Sequence, residues 1–231
     1  MADLKLAAAE AALKYINSGQ TIGLGAGSTV AHLIDLVCQK PVLASTVTFI
    51  SSSFKTNNYL LENGLNVQSA AFVSQLDIYF DGCDQFDAKL NALKSGGGIH
   101  TTEKILASMA AEFILMGDES KYAEQLSTAY PLVIEILPLA LPAVIRRLAT
   151  DLPGAEIRQR MSSQKDGALI SENGNYLADV YLAAIGDPQE LNVKVKMIPG
   201  IVEHSLFCGM ASKAIIAGEH GIRELDMKLA I

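Results

Sequence analysis

From Leu4 the apolar residues Leu4, Ala8, Ala11, Ala12 and Ile16 recur at helical spacing, with Asp3 placed as an N-cap and Gly19 as a stop. A short apolar run, Thr21 to Leu24, then breaks into Gly25-Ala26-Gly27-Ser28-Thr29, after which Val30, Leu33, Ile34 and Val37 resume the helical period. This segment reads as strand, glycine loop, helix. Val47 to Ile50 repeats the strand signal. Ser51 to Ser53 follow it and open a helix toward Glu62, which Asn63-Gly64 ends. Leu76 to Phe80 is a third strand, closing on Asp81-Gly82. Thr101 to Ala111 is helical in pattern, and Phe113 to Met116 is a fourth strand followed by Gly117-Asp118. Strands that are apolar along their length and alternate with helices predict a parallel α/β sheet.

The pattern changes near Pro131. Leu132 to Leu137 reads as a strand, Leu141 to Ala149 as a helix, and Glu156 to Met161 alternates like a half-exposed strand. Ala168 to Ala183 reads as a hairpin around Glu172-Asn173-Gly174-Asn175. Asp187-Pro188 starts another helix with Pro in its first turn. This βαββα order is an α+β pattern. The expected organisation is a parallel-sheet α/β domain at residues 1–130 plus 201–231, with an inserted smaller α+β domain at 131–200. A chain of 231 residues can bury such a core without covalent staples.

Charge narrows the function classes. Lys and Arg number 18 against 25 Asp and Glu, a net charge of −7. A broad cationic face for nucleic acid or an anionic membrane is excluded, while a local basic pocket for one phosphate is compatible. There is no Trp to serve as a stacking platform. Cys38, Cys83 and Cys208 form no C-x-x-C pair and read as reduced thiols, not as a disulfide framework or a structural zinc site. The N-terminal segment is interrupted by Asp3, Lys5, Glu10 and Lys14, unlike a signal peptide. The apolar stretch Pro131–Ile145 contains Glu135 and three prolines, so it is no membrane span. The expected location is cytoplasmic.

Four strand ends carry polar or glycine residues: GAGST, SSS, DGCD and GDESK. In open parallel sheets ligands bind at such ends. Gly25 to Thr29 can offer backbone N–H groups to an anion at a helix start, or simply form a tight turn with Ser28 or Thr29 as N-cap. The loop is neither a complete G-x-G-x-x-G nor a Walker A sequence. Asp81 and Asp84 place two carboxylates three residues apart, as site groups or as an Asx-turn. Lys94 precedes Ser95-Gly96-Gly97-Gly98, a run whose backbone entropy is costly unless the chain must approach something closely. Glu103 opens a helix, where a carboxylate is also favoured by the dipole alone. Lys121 lies in a charged loop. The four histidines lack metal-ligand spacing, and no G-x-S-x-G elbow supports a serine triad.

Together these segments resemble the ribose-5-phosphate isomerase type A family. The matching stretches are GLGAGSTVAHLI, SSSFKT, DGCDQFDAKLNALKSGGGIHTTEKILA, GDESKY, IEILP, SENGNYLADV and IPGIVEHSLF, in the family's order. The block from Asp81 to Lys104 is the specific part. The resemblance implies a Rossmann-like domain with an inserted α+β domain, in a homo-oligomer (dimer or tetramer). It implies interconversion of D-ribose 5-phosphate and D-ribulose 5-phosphate through an enediolate in the non-oxidative pentose phosphate pathway, with no metal or organic cofactor. Glu103 matches the family's base, and Asp81, Asp84 and Lys94 match groups that line the sugar. Ala26, Gly27, Ser28 and Thr29 match the phosphate loop, helped by Lys121 and Lys5. Gly82, Cys83, Ser95, Gly96 and Gly97 complete the substrate-binding set.

The chain departs from the family pattern at several positions. Ala26 stands where Thr is common, removing a hydroxyl contact. D-G-A-D-E reads D-G-C-D-Q, with Cys83 and Gln85. Ser95 replaces a glycine and is expected to narrow the sugar site. Near the base, L-x-R-E-K is replaced by His100-Thr101-Thr102-Glu103-Lys104. Two other readings compete. A non-catalytic sugar-phosphate sensor would explain Ala26 and Ser95, but no helix-turn-helix segment is present. A dinucleotide enzyme would explain the first loop, but Ser51 to Ser53 occupy the place of the expected acidic residue.

Overall fold

The structure is a computed structural model that describes residues 3–227; residues 1–2 and 228–231 of the expected first domain lie outside the described residues. In chain order the elements are α1 (Leu4–Leu13), β1 (Thr21–Leu24), α2 (Ser28–Cys38), α3 (Pro41–Ala44), β2 (Thr48–Ser51), α4 (Phe54–Glu62), β3 (Leu76–Asp81), β4 (Gln85–Phe86), β5 (Ala92–Leu93) and α5 (His100–Met109). There follow β6 (Ala110–Asp118), β7 (Leu132–Ile136), α6 (Leu141–Asp151), β8 (Glu156–Gln159), β9 (Tyr176–Tyr181), α7 (Pro188–Lys196), β10 (Ile201–His204), β11 (Leu206–Phe207), β12 (Lys213–Gly218) and β13 (Gly221–Asp226). They fall into two compact units. The first comprises Met1–Cys83, Thr102–Tyr122 and Gly209–Ile231, the second Asp84–Thr101 and Ala123–Cys208.

The first unit is built on a six-stranded sheet in the order β13-β12-β6-β3-β1-β2. All pairs are parallel except the edge pair β12–β13. The chain passes from β1 through α2 to β2 on one side, and β3 then lies on the other side of β1. The β1/β3 boundary is therefore the point where the winding reverses, and ligands bind at such points in open sheets. Ile22, Leu24, Phe80, Ile114, Met116 and Ile215 of the strands form one core with Ala9 and Ala12 of α1 and Val30, Leu33 and Val37 of α2. Each large aliphatic side chain so buried contributes about 1.5–3 kcal/mol. Asp3 caps α1 as expected, accepting from the Lys5 and Leu6 N–H groups at 3.0 and 3.3 Å.

The helix expected over Thr101–Ala111 ends at Met109, and the chain enters β6 at once. The register Leu76↔Ala110 claims these residues for the sheet. Ala111 and Glu112 are exposed, so the first part of β6 has no apolar run by which it could be recognised.

The second unit contains a four-stranded antiparallel sheet, β10-β7-β9-β8, and a small sheet, β11-β5-β4. The chain order β7-α6-β8-β9-α7-β10 makes this a split β-α-β arrangement. Leu132, Ile134, Ile136, Ala178 and Val180 pack with Val144 and Leu148 of α6 and Leu191 and Val195 of α7.

The boundaries differ from the expected ones. Residues 84–101, 123–130 and 201–208 belong to the second unit. The reason is pairing: β10 lies against β7 in the register His204↔Ile134, and β11 pairs β5 through Phe207↔Ala92, so the chain returns to the first unit only at Gly209. The turn that brings β10 back requires Gly200. Its φ is +98°, and a Cβ there would stand 2.3 Å from Ala140 Cβ.

The hairpin expected over Ala168–Ala183 forms only in its second arm. β9 pairs with β7 on one edge and β8 on the other, leaving the first arm single bridges such as Ile170↔Tyr176. The β4–β5 hairpin has no sequence period, because two-residue strands show none. It is shaped by Asp87, whose carboxylate accepts from the N–H groups of Lys89 and Asn91 and from Asn91 Nδ2, each at 2.9 Å. That loop holds Leu90 at φ +59°.

No helix among the described residues is long and apolar enough to cross a membrane. The Asp187 cap of α7 accepts from the Gln189 and Glu190 N–H groups at 2.7 and 3.0 Å. Asp187→Ala is expected to cost about 1 kcal/mol and to lower the melting temperature by about 2–4 °C, measured by calorimetry.

Candidate active site

In the first unit, the ends of β1, β2 and β3 form one cluster. Gly25 follows β1, and its N–H donates to the Phe80 carbonyl at 2.9 Å. A Cβ at Gly25 would fall 1.9 Å from Asp81 Cγ, so the glycine is demanded by the close approach of that carboxylate. Asp81, buried, accepts from the N–H groups of Gly82 at 2.7 Å and Ala26 at 3.3 Å on Oδ1, and from the Tyr79 hydroxyl at 2.6 Å on Oδ2. The N–H groups of Gly25 and Ala26 are thus engaged by β3. Of the two readings of the loop, these two N–H groups follow the tight turn.

The expected N-cap also moves. Gly27, at φ +107°, caps α2 without a side-chain hydrogen bond, and Ser28 and Thr29 are the first two helical residues. Their hydroxyls are therefore not consumed as caps. Among the α2 N-terminal residues, Ser28 lines a cavity of about 420 Å³ with Asp3, Leu4, Lys5, His32 and Asp118. Burial raises the Asp118 pKa, but the Ser120 hydroxyl and N–H, then the charges of Lys121 and Lys5, outweigh it and hold the carboxyl below its ordinary value. The charges of Lys5 and Lys121 thus both act on one carboxylate, and Ser28 lines the same cavity as Lys5 and that carboxylate. A second cavity, of about 690 Å³, runs from Ala26, Gly27 and Ser28 to Ser53 and Phe54 at the start of α4 and Tyr59 further along it.

Glu103 sits buried in the first turn of α5, where the helix N-terminus favours a carboxylate. Its charge reaches Tyr79. Burial first, then the charges of Asp81 and Glu103 and the hydrogen bond to Asp81, push the Tyr79 hydroxyl pKa well above its usual value.

The second unit carries the other candidates. Asp84 donates its N–H to the Leu93 carbonyl, and its Oδ2 accepts from the Ser95 N–H at 2.6 Å and the Gly96 N–H at 3.0 Å. The glycine run is thus wound on a carboxylate. Arg160 holds the other side, donating to the carbonyls of Ser95 at 2.6 Å and Gly96 at 3.1 Å while pairing with Asp179 at 2.8 Å. The run requires Gly98, whose φ is +70° and whose added Cβ would meet Leu177 Cδ1 at 2.7 Å. Lys94, also buried, donates its N–H to the Ser205 carbonyl, and its ammonium lies 5.8 Å from the centre of the Phe207 ring. The Ser95 hydroxyl donates to the Pro131 carbonyl at 2.6 Å, so the side chain expected to narrow the sugar site is tied to that backbone instead.

The candidate set is therefore divided by unit. Asp81, Gly82, Ala26, Gly27, Ser28, Thr29, Glu103, Lys5 and Lys121 belong to the first, and Asp84, Lys94, Ser95, Gly96 and Gly97 to the second, with Cys83 the last residue before the crossing. Sequence reasoning missed Tyr79, His32, Arg160 and Glu135. Arg160 gave no signal, standing 65 positions from Ser95 just past the end of β8. Glu135 gave one: a lone acid inside the apolar run LVIEI. It is fully buried and accepts from the hydroxyls of Thr101 and Ser171 and from the amides of Asn173 and Asn175. Burial raises its pKa, and these four donors more than reverse that, leaving it below the ordinary value.

A buried carboxylate at the winding-reversal point of an open, mostly parallel sheet places the chain in the class of α/β enzymes. The chain belongs to the ribose 5-phosphate isomerase A family. The family description Ribose 5-phosphate isomerase A (phosphoriboisomerase A) matches residues 48–221. The Ribose-5-phosphate isomerase A of Pyrococcus abyssi is 34% identical over 97% of this chain and 98% of its own length. That of Rhizobium meliloti is 38% identical over 96% of each. The solved ribose 5-phosphate isomerase A of Methanocaldococcus jannaschii superimposes with a TM-score of 0.90 at 34% identity, covering 97% of this chain and 98% of that one. A D-ribose-5-phosphate isomerase solved in complex with phospho-erythronic acid gives a TM-score of 0.90 at 33% identity, over 96% and 97%.

Two variants test the geometry. Gly25→Ala must displace Asp81 and is expected to lower kcat/KM about 100-fold, the cost of a misplacement near 1 Å. Glu135→Gln leaves donors facing a donor and is expected to cost about 1–3 kcal/mol in urea unfolding. Because the folded pKa of Glu135 is lowered, its contribution is complete above the ordinary carboxylate range and lost as pH falls through the folded value, so the gap between wild type and variant closes in acid.

Proposed function

We propose that this chain interconverts D-ribose 5-phosphate and D-ribulose 5-phosphate, with Glu103 as the base. The observation that carries the reading is Glu103 itself, a buried carboxylate in the first turn of α5 at the position of the family's base, in a chain that retains Asp81, Asp84 and Lys94. The proton on C2 of the open-chain aldose is weakly acidic, so a positioned base is needed. Glu103 takes it, the electron pair moves toward the C1 carbonyl, and an enediolate forms. Return of the proton to C1, with transfer of the O2 hydrogen to O1, gives the ketose. Two hydrogens move within one molecule, so no external oxidant or reductant balances the reaction.

Lys94 is the cation for the developing enediolate charge; one such donor is worth about 3 kcal/mol. Asp81 and Asp84 accept from sugar hydroxyls and assist ring opening. Lys5, Lys121, Ser28 and Thr29 hold the phosphate, whose binding energy positions the reacting carbons. The cavity that joins Lys5 and Ser28, and the pull of both lysines on Asp118, support that role. Gly27, Gly82, Cys83, Ser95, Gly96 and Gly97 complete the proposed substrate-binding set. The enzyme works as a homo-oligomer, dimer or tetramer, in the cytoplasm, within the non-oxidative pentose phosphate pathway. Sedimentation should then give a mass two or four times the 24.6 kDa of one chain.

The decisive assay is ribulose 5-phosphate formation from ribose 5-phosphate in EDTA. Turnover should persist there, and Glu103→Gln should lower kcat by about 10²–10⁴-fold with little change in KM. A glutamine variant that keeps wild-type kcat would remove Glu103 as base. Lys121→Met should raise KM about tenfold, the size of one charge-assisted hydrogen bond, and leave kcat close to wild type.

A further inference from the structure

We propose that Tyr79 is a positioning residue of the isomerase site, its buried hydroxyl fixing the Asp81 carboxylate in the orientation the reaction uses. The inference rests on the placement of Asp81 in the site under the proposed function.

Tyr79 and Asp81 are two apart on β3 and so project from the same face of the sheet. β1 is carved to receive both. Gly23 stands opposite Tyr79 in the β1–β3 register, and a Cβ on Gly23 would lie 2.7 Å from Tyr79 Cδ2. Two residues on, a Cβ on Gly25 would collide with the Asp81 carboxyl. The two glycines of β1 and its loop therefore leave room for the two side chains of β3.

The Tyr79 ring has no exposed surface and packs at 5.2 Å on Phe113 of β6, which leaves its hydroxyl a single direction. That hydroxyl donates to Asp81 Oδ2 at 2.6 Å, while the Gly82 and Ala26 N–H groups hold Oδ1. With its proton given to Asp81, the Tyr79 oxygen accepts from Ser52 Oγ at 3.3 Å. A line of hydrogen bonds thus runs from the end of β2, past the bare face of Gly23, to Asp81. Packing alone does not call for this hydroxyl, because a phenylalanine fills the same ring site without burying an oxygen beside two carboxylates.

Tyr79→Phe removes the oxygen and keeps the ring. The expected result is kcat about tenfold lower, the weight of a hydrogen bond to a charged group, with KM for ribose 5-phosphate and the melting temperature near wild type. Ser52→Ala, which weakens the line one step earlier, should give a smaller fall in kcat, again with KM near wild type. It carries the test if the Phe variant does not fold, and a wild-type kcat in the Ala variant then overturns the proposal. A Phe variant with wild-type kcat overturns it, as does one in which kcat, KM and melting temperature all change together. A wild type that makes no ribulose 5-phosphate overturns the site reading as a whole, whereas an active wild type with an indifferent Phe variant overturns this inference alone.

Discussion

The contact between the backbone of Gly25 and the carboxylate of Asp81 sets the conditions for the first unit's site. A charged group buried beside the main chain is tolerated when hydrogen bonds replace the water it has lost. Tyr79, Gly82 and Ala26 supply them. In doing so they hold the end of β1 beside the end of β3, and α2 begins at Ser28 after a Gly27 N-cap that offers no side chain. The helix start that this leaves is the one beside Lys5, Ser28 and Asp118. A single buried acid therefore organises the strand-end cluster from which α2 departs.

The second unit solves a parallel problem by similar means. A run of glycines is entropically expensive to order, and here it is ordered from two sides. Asp84 accepts from its N–H groups and Arg160 donates to its carbonyls. Glu135, in the middle of a strand that is buried throughout, is stabilised by four side-chain donors that include Thr101 in the first turn of α5. Burial pushes the Glu135 carboxyl up, and these donors together hold it below its ordinary value.

Three of the positions at which this chain departs from the family pattern, Gln85, Ser95 and Ala26, have local explanations. Gln85 exchanges hydrogen bonds with Ser127, its amide donating to the hydroxyl at 3.0 Å and its oxygen accepting the Ser127 N–H at 2.7 Å. The Ser95 hydroxyl is bound to the Pro131 carbonyl. Ala26 contributes through its backbone N–H, which any residue but proline provides. The changes are absorbed by neighbouring polar groups, while the carboxylates and lysine matched to the reaction are retained.

Much was legible in the sequence because it depends on neighbours along the chain. Apolar runs of four to six residues located β1, β2, β3 and β7, the period of Val30, Leu33 and Val37 located α2, Asp3 was visible as a cap, and Ser51 to Ser53 and Asp187-Pro188 as helix openings. The block from Asp81 to Lys104 pointed to the family and to Glu103. Other features were decided by contacts between residues distant in sequence. β10 belongs to the second unit because it pairs with β7, some 65 residues earlier, and nothing within Ile201–His204 records that partner. Tyr79 reads locally as one more aromatic in a strand, and its role depends on the empty face of Gly23, 56 positions away. Arg160 likewise acquires meaning only where the Ser95 and Gly96 carbonyls arrive. Periodicity, caps and turns arise from short-range sterics and are written in the sequence locally, whereas the destination of a buried polar group depends on which strands lie side by side, and only the tertiary structure decides that.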